Sequence, residues 1–177
     1  MQQLNSSGAL YNDALGDHLD SLVSALGYSA FSKAGLAIGS GSKAKVLITN
    51  TVNFTNNGVM LQKATAEIAF TATTHDIPAN ASSVQEACYL LSLNSSGTAT
   101  LTMGTIATGS GNAVVPACPA GNTPIGYVRI AIAAGATPFD ASTDLLDAAH
   151  ITDTYVDMGL RFGKFGAAYE IGGVTAE

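Results

Sequence analysis

Apolar and polar positions alternate most clearly between residues 84 and 134, and the rest of the chain is read against that stretch. Residues 86–93 are rich in apolar side chains and end at Asn94-Ser95-Ser96-Gly97, a turn by composition. In 98–108, Leu101 and Met103 alternate with Thr100, Thr102 and Gly104. In 125–133, Val128, Ile130 and Ile132 alternate with Tyr127, Arg129 and Ala131. A period of two sends one set of side chains to a buried face and the other set to the opposite face. The first two segments are expected to pair as an antiparallel hairpin, because the loop between them is too short for a crossover. The third arrives after a Gly/Pro-rich loop, 109–124.

Upstream, 44–49 reads as a strand, and 51–55 and 59–63 follow it, separated by Asn56-Asn57-Gly58. Asn-Gly is the strongest short hairpin signal, since both residues tolerate positive φ. Residues 67–74 form the next expected strand, with Ile68 and Phe70 alternating against Glu67 and Ala69. His75-Asp76-Ile77-Pro78 ends it, because Pro cannot donate to a ladder. Downstream come a loop over 134–142, a short helical turn over 143–150 and a last strand over 151–158. Residues 33–41 read as a Gly/Ser connector. Its GSGSK run is not a phosphate loop, since Lys43 is followed by Ala44 rather than Ser or Thr.

The period changes once. Leu15, Leu19, Leu22 and Leu26 fall at i, i+4, i+7 and i+11, which predicts an amphipathic helix over 12–26. Asn12 or Asp13 caps its start, and Gly27 stops it. The stripe is narrow, so it is either a seam against another molecule or a strip packed on its own domain. The predicted architecture is mainly β, an antiparallel β-sandwich or jelly-roll-like domain with one N-terminal amphipathic helix. Residues 1–32 are an arm with the helix, 33–158 the β domain, and 159–177 a Gly-rich tail bearing Phe162, Phe165 and Tyr169. Those aromatics and the leucine stripe are the candidate assembly interface.

Composition narrows the function. Only 11% of residues are charged, against about 25% in a typical soluble chain. The surface is therefore expected to be Thr, Ser, Asn, Gly and Ala, which suits a protein docked in an assembly or exposed outside cells. With seven Lys and Arg and a net charge of −6, there is no basic stripe for nucleic acid or for an anionic membrane. No apolar run approaches the ~20 residues of a membrane helix. MQQLNSSGAL lacks a basic n-region and an apolar h-region, so no signal peptide is expected and synthesis is expected in the cytoplasm.

Candidate chemistry is sparse. His18 lies on the polar side of the predicted helix, and His75 and His150 sit near Asp76 and Asp147. The spacing does not force a two-His-plus-carboxylate metal site, and both are expected to be solvated loop histidines. Cys88 lies in a strand and Cys118 in the Pro116-Ala117-Cys118-Pro119 loop, neither with a His or cationic neighbour that would make it a nucleophile. A disulfide between them requires the loop to fold back over the strand; otherwise both are small buried apolar residues. Asp140, Asp144 and Asp147 would share a face of a helix, as a solvated face usually does. No catalytic motif and no cofactor motif is present, and the chain is not expected to be an enzyme.

From Pro119 the chain reads PAGNTPIGYVRIAIAAGATPFDASTDLLDAA, and upstream IPANASSVQEACYLLSLNSSGTATLTMGT. Over about residues 77–155 this resembles tailed-bacteriophage virion surface proteins of the capsid decoration (cement) or head-fibre type. The resemblance implies a structural protein on the outer capsid surface of a virion, made in the host cytoplasm. It implies the major capsid protein as partner, with a homotrimer expected before a homodimer and no membrane or nucleic-acid contact. A virion fibre or adhesin module that binds a host-surface carbohydrate or receptor is the alternative. That alternative wants clustered aromatics, and only 7% of residues are aromatic, with no Trp.

Overall fold

The computed structural model describes residues 27–41 and 43–159. The predicted helix and the tail aromatics lie outside these residues. Within them the chain is mainly β: ten strands in three antiparallel sheets. β1 (Leu36–Ile38), β2 (Lys45–Ile48) and β5 (Ala66–Ala69) form one sheet with β2 central. β3 (Val52–Asn56) and β4 (Val59–Lys63) form a hairpin. β6 (Gln85–Leu93), β7 (Ala99–Met103), β8 (Ala107–Thr108), β9 (Thr123–Ile132) and β10 (Ile151–Asp157) form the third, in the order β10-β9-β6-β7, with β8 also on β6.

The strands follow their patterns. β9 buries Val128, Ile130 and Ile132 and leaves Tyr127, Arg129 and Ala131 half-exposed, as a period of two requires. Asn57 and Gly58 both take positive φ, 50° and 74°, so β3 and β4 turn back in a tight hairpin. The Asn94 side chain accepts from the amides of Ser96 and Thr98 and closes the β6–β7 turn. β6 is buried along its whole length and pairs on both sides, so it is the central strand.

Four expectations change. The segment expected as a connector contains β1, which pairs with β2 from Leu36–Ile48 to Ile38–Val46. The strand expected over 67–74 stops at Ala69, and the chain turns at Thr73, whose φ is 63°. The strand expected over 98–108 breaks after Met103 and resumes as β8, with its pairing to β6 shifted by one residue. Gly104 sits at that break, where a Cβ would come within 2.7 Å of the Val114 carbonyl. The covering loop can lie this close only over a glycine. Residues 143–150 make separate turns rather than a helical one. One α-type turn closes from Asp144 N to Asp140 O, and Asp144 Oδ2 then accepts from Asp140 N instead of letting the helix continue.

One core joins all three sheets. Val46 and Ile48 of β2, Phe54 of β3, Tyr89 and Leu91 of β6, Ile130 of β9 and Phe139 are all buried in it. β1 lies against β9 and β10, and β5 lies against β7. The Leu36 amide donates to Asp157 Oδ1 at 3.1 Å, tying the first sheet to the end of β10. The domain therefore has two ends. The lower end carries the start of β6, the end of β9 and the loops 70–84 and 133–150. The upper end carries the β6–β7 turn, the β3–β4 hairpin and residues 27–31, which bond alongside β3.

Candidate functional site

The lower end holds a cleft of about 660 Å³, lined by Thr73, Asp76, Ile77, Pro78 and residues of the 137–144 loop, among them Asp140 and Asp144. The Ile77–Phe139 bridge joins its two walls. Each carboxylate is spent on the loops themselves. Asp76 accepts from Ala141 N at 2.9 Å and from Thr73 N at 3.1 Å. Asp140 Oδ1 accepts from Ser142 N and Ser142 Oγ at 2.8 and 2.6 Å, and the Ser142 bonds hold its carboxyl below the ordinary range. Asp144 Oδ2 accepts from Asp140 N at 2.8 Å and lies 3.5 Å from His150 Nε2. These are loop braces, and their oxygens are already hydrogen-bonded to backbone amides.

The histidines correct the sequence reading. His75 is buried rather than solvated, at 5% exposure. Its Nδ1 accepts from Thr71 N at 2.8 Å, which makes it a neutral ring with the proton on Nε2. Burial pushes its pKa down, against the smaller opposing pulls of a backbone hydrogen bond at Leu101 and of Asp76. Its ring stands edge-on to Phe70 and Tyr89, and the Tyr89 hydroxyl donates to the His75 carbonyl at 2.7 Å. His75 is thus part of an aromatic core cluster with Phe70, Tyr89 and Phe139. The early end of β5 is what tucks it there. His150 Nε2 lies 3.5 Å from Asp144 Oδ2, rather than beside Asp147, its nearer neighbour in sequence, and makes no hydrogen bond there. Neither histidine lines the cleft. Among the described residues, no group of three or more His, Cys, Asp or Glu is arranged to hold a metal ion.

The far face of β6 lies under the 104–122 loop. Glu86 is wholly buried there. Its Oε1 accepts from Ala113 N at 2.6 Å, and its Oε2 lies 3.9 Å from Arg129. Cys88 donates to the Ala113 carbonyl and Cys118 to the Asn122 carbonyl. The loop does fold back over the strand, yet the two thiols are free and meet different neighbours. The disulfide left open by the sequence is not formed. Burial pushes both thiols up, so neither is poised as a nucleophile.

The upper end differs in kind. Val59 and Met60 at the hairpin tip are 57% and 63% exposed, and Tyr28 is 45% exposed. Gly58 N donates to Gly27 O at 3.2 Å, which sets the tip beside the entering chain. A shallow groove next to it is lined by Tyr28, Ala30, Pro124, Met158 and Gly159. The described chain therefore begins and ends at one corner. Leu15, Leu19, Leu22 and Leu26 precede that corner, and Phe162, Phe165 and Tyr169 follow it; all seven lie outside the described residues. The exposed tip had a sequence signal: Val59-Met60-Leu61 breaks the alternation, and three apolar residues in a row on one strand cannot all face a core.

No protein-family model, no curated protein and no solved structure matches this chain.

Proposed function

We propose that this chain is a structural virion protein, a decoration (cement) protein that binds the outer surface of a phage head and strengthens contacts between capsomers. The observation that carries this reading is the upper end of the domain. Tyr28, Val59 and Met60 are exposed near the Gly58 N–Gly27 O bond, Val59 and Met60 on opposite faces of β4, while the lower end closes on its own hydrogen bonds. Exposed apolar clusters of this kind mark interaction surfaces. The low charge of the chain supports the same reading, because few charges need to be stripped of water when its surface is covered. The sequence resemblance over residues 77–155 supplies the identity of the covering surface, the major capsid protein.

In this reading the β domain is a jelly-roll-like sandwich and the protein acts as a homotrimer with closed symmetry. Burial worth about 25 cal/mol per Å² favours the assembled shell, and repetition over many copies multiplies a weak contact. Light scattering on the purified chain tests the assembly. A mass three times the 17.9 kDa chain is expected, together with cosedimentation on undecorated heads of the same phage. A monomer that leaves those heads bare overturns the proposal.

A further inference from the structure

We propose that His75 is an acid-operated latch at the lower end: a second proton on its ring breaks the bond to Thr71 and releases the 71–76 turn from β6 and β7, while the central sheet stays folded. The latch lies at the end of the domain away from the β3–β4 tip, and it holds whether or not the chain belongs to a virion.

Three observations carry it. The first is the hydrogen bonding. A neutral imidazole has one acceptor, and here that acceptor, Nδ1, is spent on Thr71 N at 2.8 Å. Once protonated, Nδ1 is a donor facing a donor, so this bond does not survive the charge. The second is the setting. The ring is 5% exposed and stands edge-on to Phe70 and Tyr89, with centroids 5.7 and 5.6 Å away. A cation there gives up its water and finds no acceptor for the new proton. Phe70 offers an uncharged ring, and β7 brings a backbone hydrogen bond at Leu101. β6 brings Tyr89, whose hydroxyl is pushed up by burial and stays neutral. Asp76, on the turn itself, is the charge that reaches the ring, and its oxygens already hold Ala141 N and Thr73 N. The third is what the ring fastens. His75 N donates to Thr71 O at 3.0 Å while Thr71 N donates to the ring, so the turn is closed on His75. The same residue docks that turn on the sheet through Leu101 and through the Tyr89 hydroxyl on its carbonyl. In the released turn the ring recovers its ordinary value near 6.5, whereas the docked ring takes a proton at lower pH. Docking is therefore at full strength above about pH 6.5, and each unit below it favours release by up to about tenfold until the docked ring itself titrates.

Amide hydrogen exchange on the full chain at pH 7.5 and 5.5, corrected for the intrinsic pH dependence of exchange, tests this. Carboxylates stay ionised across that window, so histidines are the side chains that titrate in it. Protection of the Thr71 and Thr73 amides is expected to fall several-fold towards pH 5.5, with the ladder amides of β6 and β9 unchanged. His75→Asn puts an acceptor oxygen about where Nδ1 stands and cannot take the proton, and it is expected to abolish the fall. His150→Gln, at the other histidine of the lower end, is expected to keep it. Constant Thr71 protection in the unaltered chain, an equal fall across β6 and β9, a fall that survives His75→Asn or one that vanishes in His150→Gln overturns the proposal. A second measurement needs no variant. In a titration followed by nuclear magnetic resonance, the His75 ring nitrogens are expected to gain their proton in step with the loss of the hydrogen-bonded shift of the Thr71 amide. A ring that gains its proton while that amide shift holds overturns the proposal.

Discussion

The two ends of this domain solve the same problem, and they part company at the tip of the β3–β4 hairpin. Both are places where strands stop and backbone groups need partners. At the lower end the partners are short polar side chains within the loops: Asp76 holds Ala141 and Thr73, Asp144 holds Asp140, and Asp140 holds Ser142. Phe139 and Ile77 close the space behind them. At the upper end Asn94 closes the β6–β7 turn in the same way, and the hairpin and residues 27–31 bond to each other, but Val59 and Met60 at the hairpin tip are apolar and meet water. A polar end that satisfies itself needs nothing added. An exposed apolar tip is where something else belongs, and that contrast underlies the proposed function.

The contrast can be broken by substitution, beginning with the largest effect. Phe139→Ala removes a ring wholly buried against Phe70 and is expected to cost about 3–5 kcal/mol of unfolding free energy in denaturant titration. A loss near zero would mean the lower end is not built on this plug. Asp76→Ala strands the amides of Ala141 and Thr73 and is expected to cost about 1–3 kcal/mol. If Asp76→Asn restores most of that, hydrogen bonding rather than charge is the source.

The upper end is expected to respond differently. Val59→Asp with Met60→Asp should move the unfolding of the β domain by less than about 0.5 kcal/mol, as surface changes do. The same pair should weaken trimer formation in light scattering and head binding in sedimentation. A large stability loss with unchanged association would reverse the roles assigned to the two ends.

The smallest effect is a titration. Glu67 takes bonds from Lys45, Ser40 N and Ser40 Oγ near the β1–β2 turn, and the Lys45 bond is the main reason its carboxyl falls from 4.5 to about 2. A carboxyl depressed on folding contributes stability above its unfolded value and loses it as pH falls through the folded one. A modest loss is therefore expected between about pH 4.5 and 2, and Glu67→Gln should flatten that part of the stability curve. Because Glu67 is exposed, salt should shrink the difference further.

How much of this could be read in advance depended on whether the cause was local. β2, β6, β9, β10 and the Asn57-Gly58 hairpin were legible, because a period of two and a turn dipeptide act over a few residues. β1 was not, since three residues among glycines look like a linker until β2 pairs with them. The break in the 98–108 strand was not either, because its cause is the Val114 carbonyl passing over Gly104. At the candidate site, Cys88 was legible as a buried residue, while the burial of His75 and of Glu86 was not. A histidine before Asp and Pro looks solvated, and only the early end of β5 turns its ring toward Tyr89.

What the sequence by itself determined is the kind of protein: mainly antiparallel β, poor in charge, with alternation strong enough to assign most strands and their buried sides. Alternation is a local rule, so the chain carries it in plain view. Tertiary structure alone decided that β6 is covered on both faces, that Glu86 and His75 are buried, and that the β3–β4 tip with exposed Val59 and Met60 lies beside Gly27, near the corner where the described chain begins and ends. Each of those depends on residues far apart in the chain coming to lie side by side, and no rule of spacing along one strand contains that.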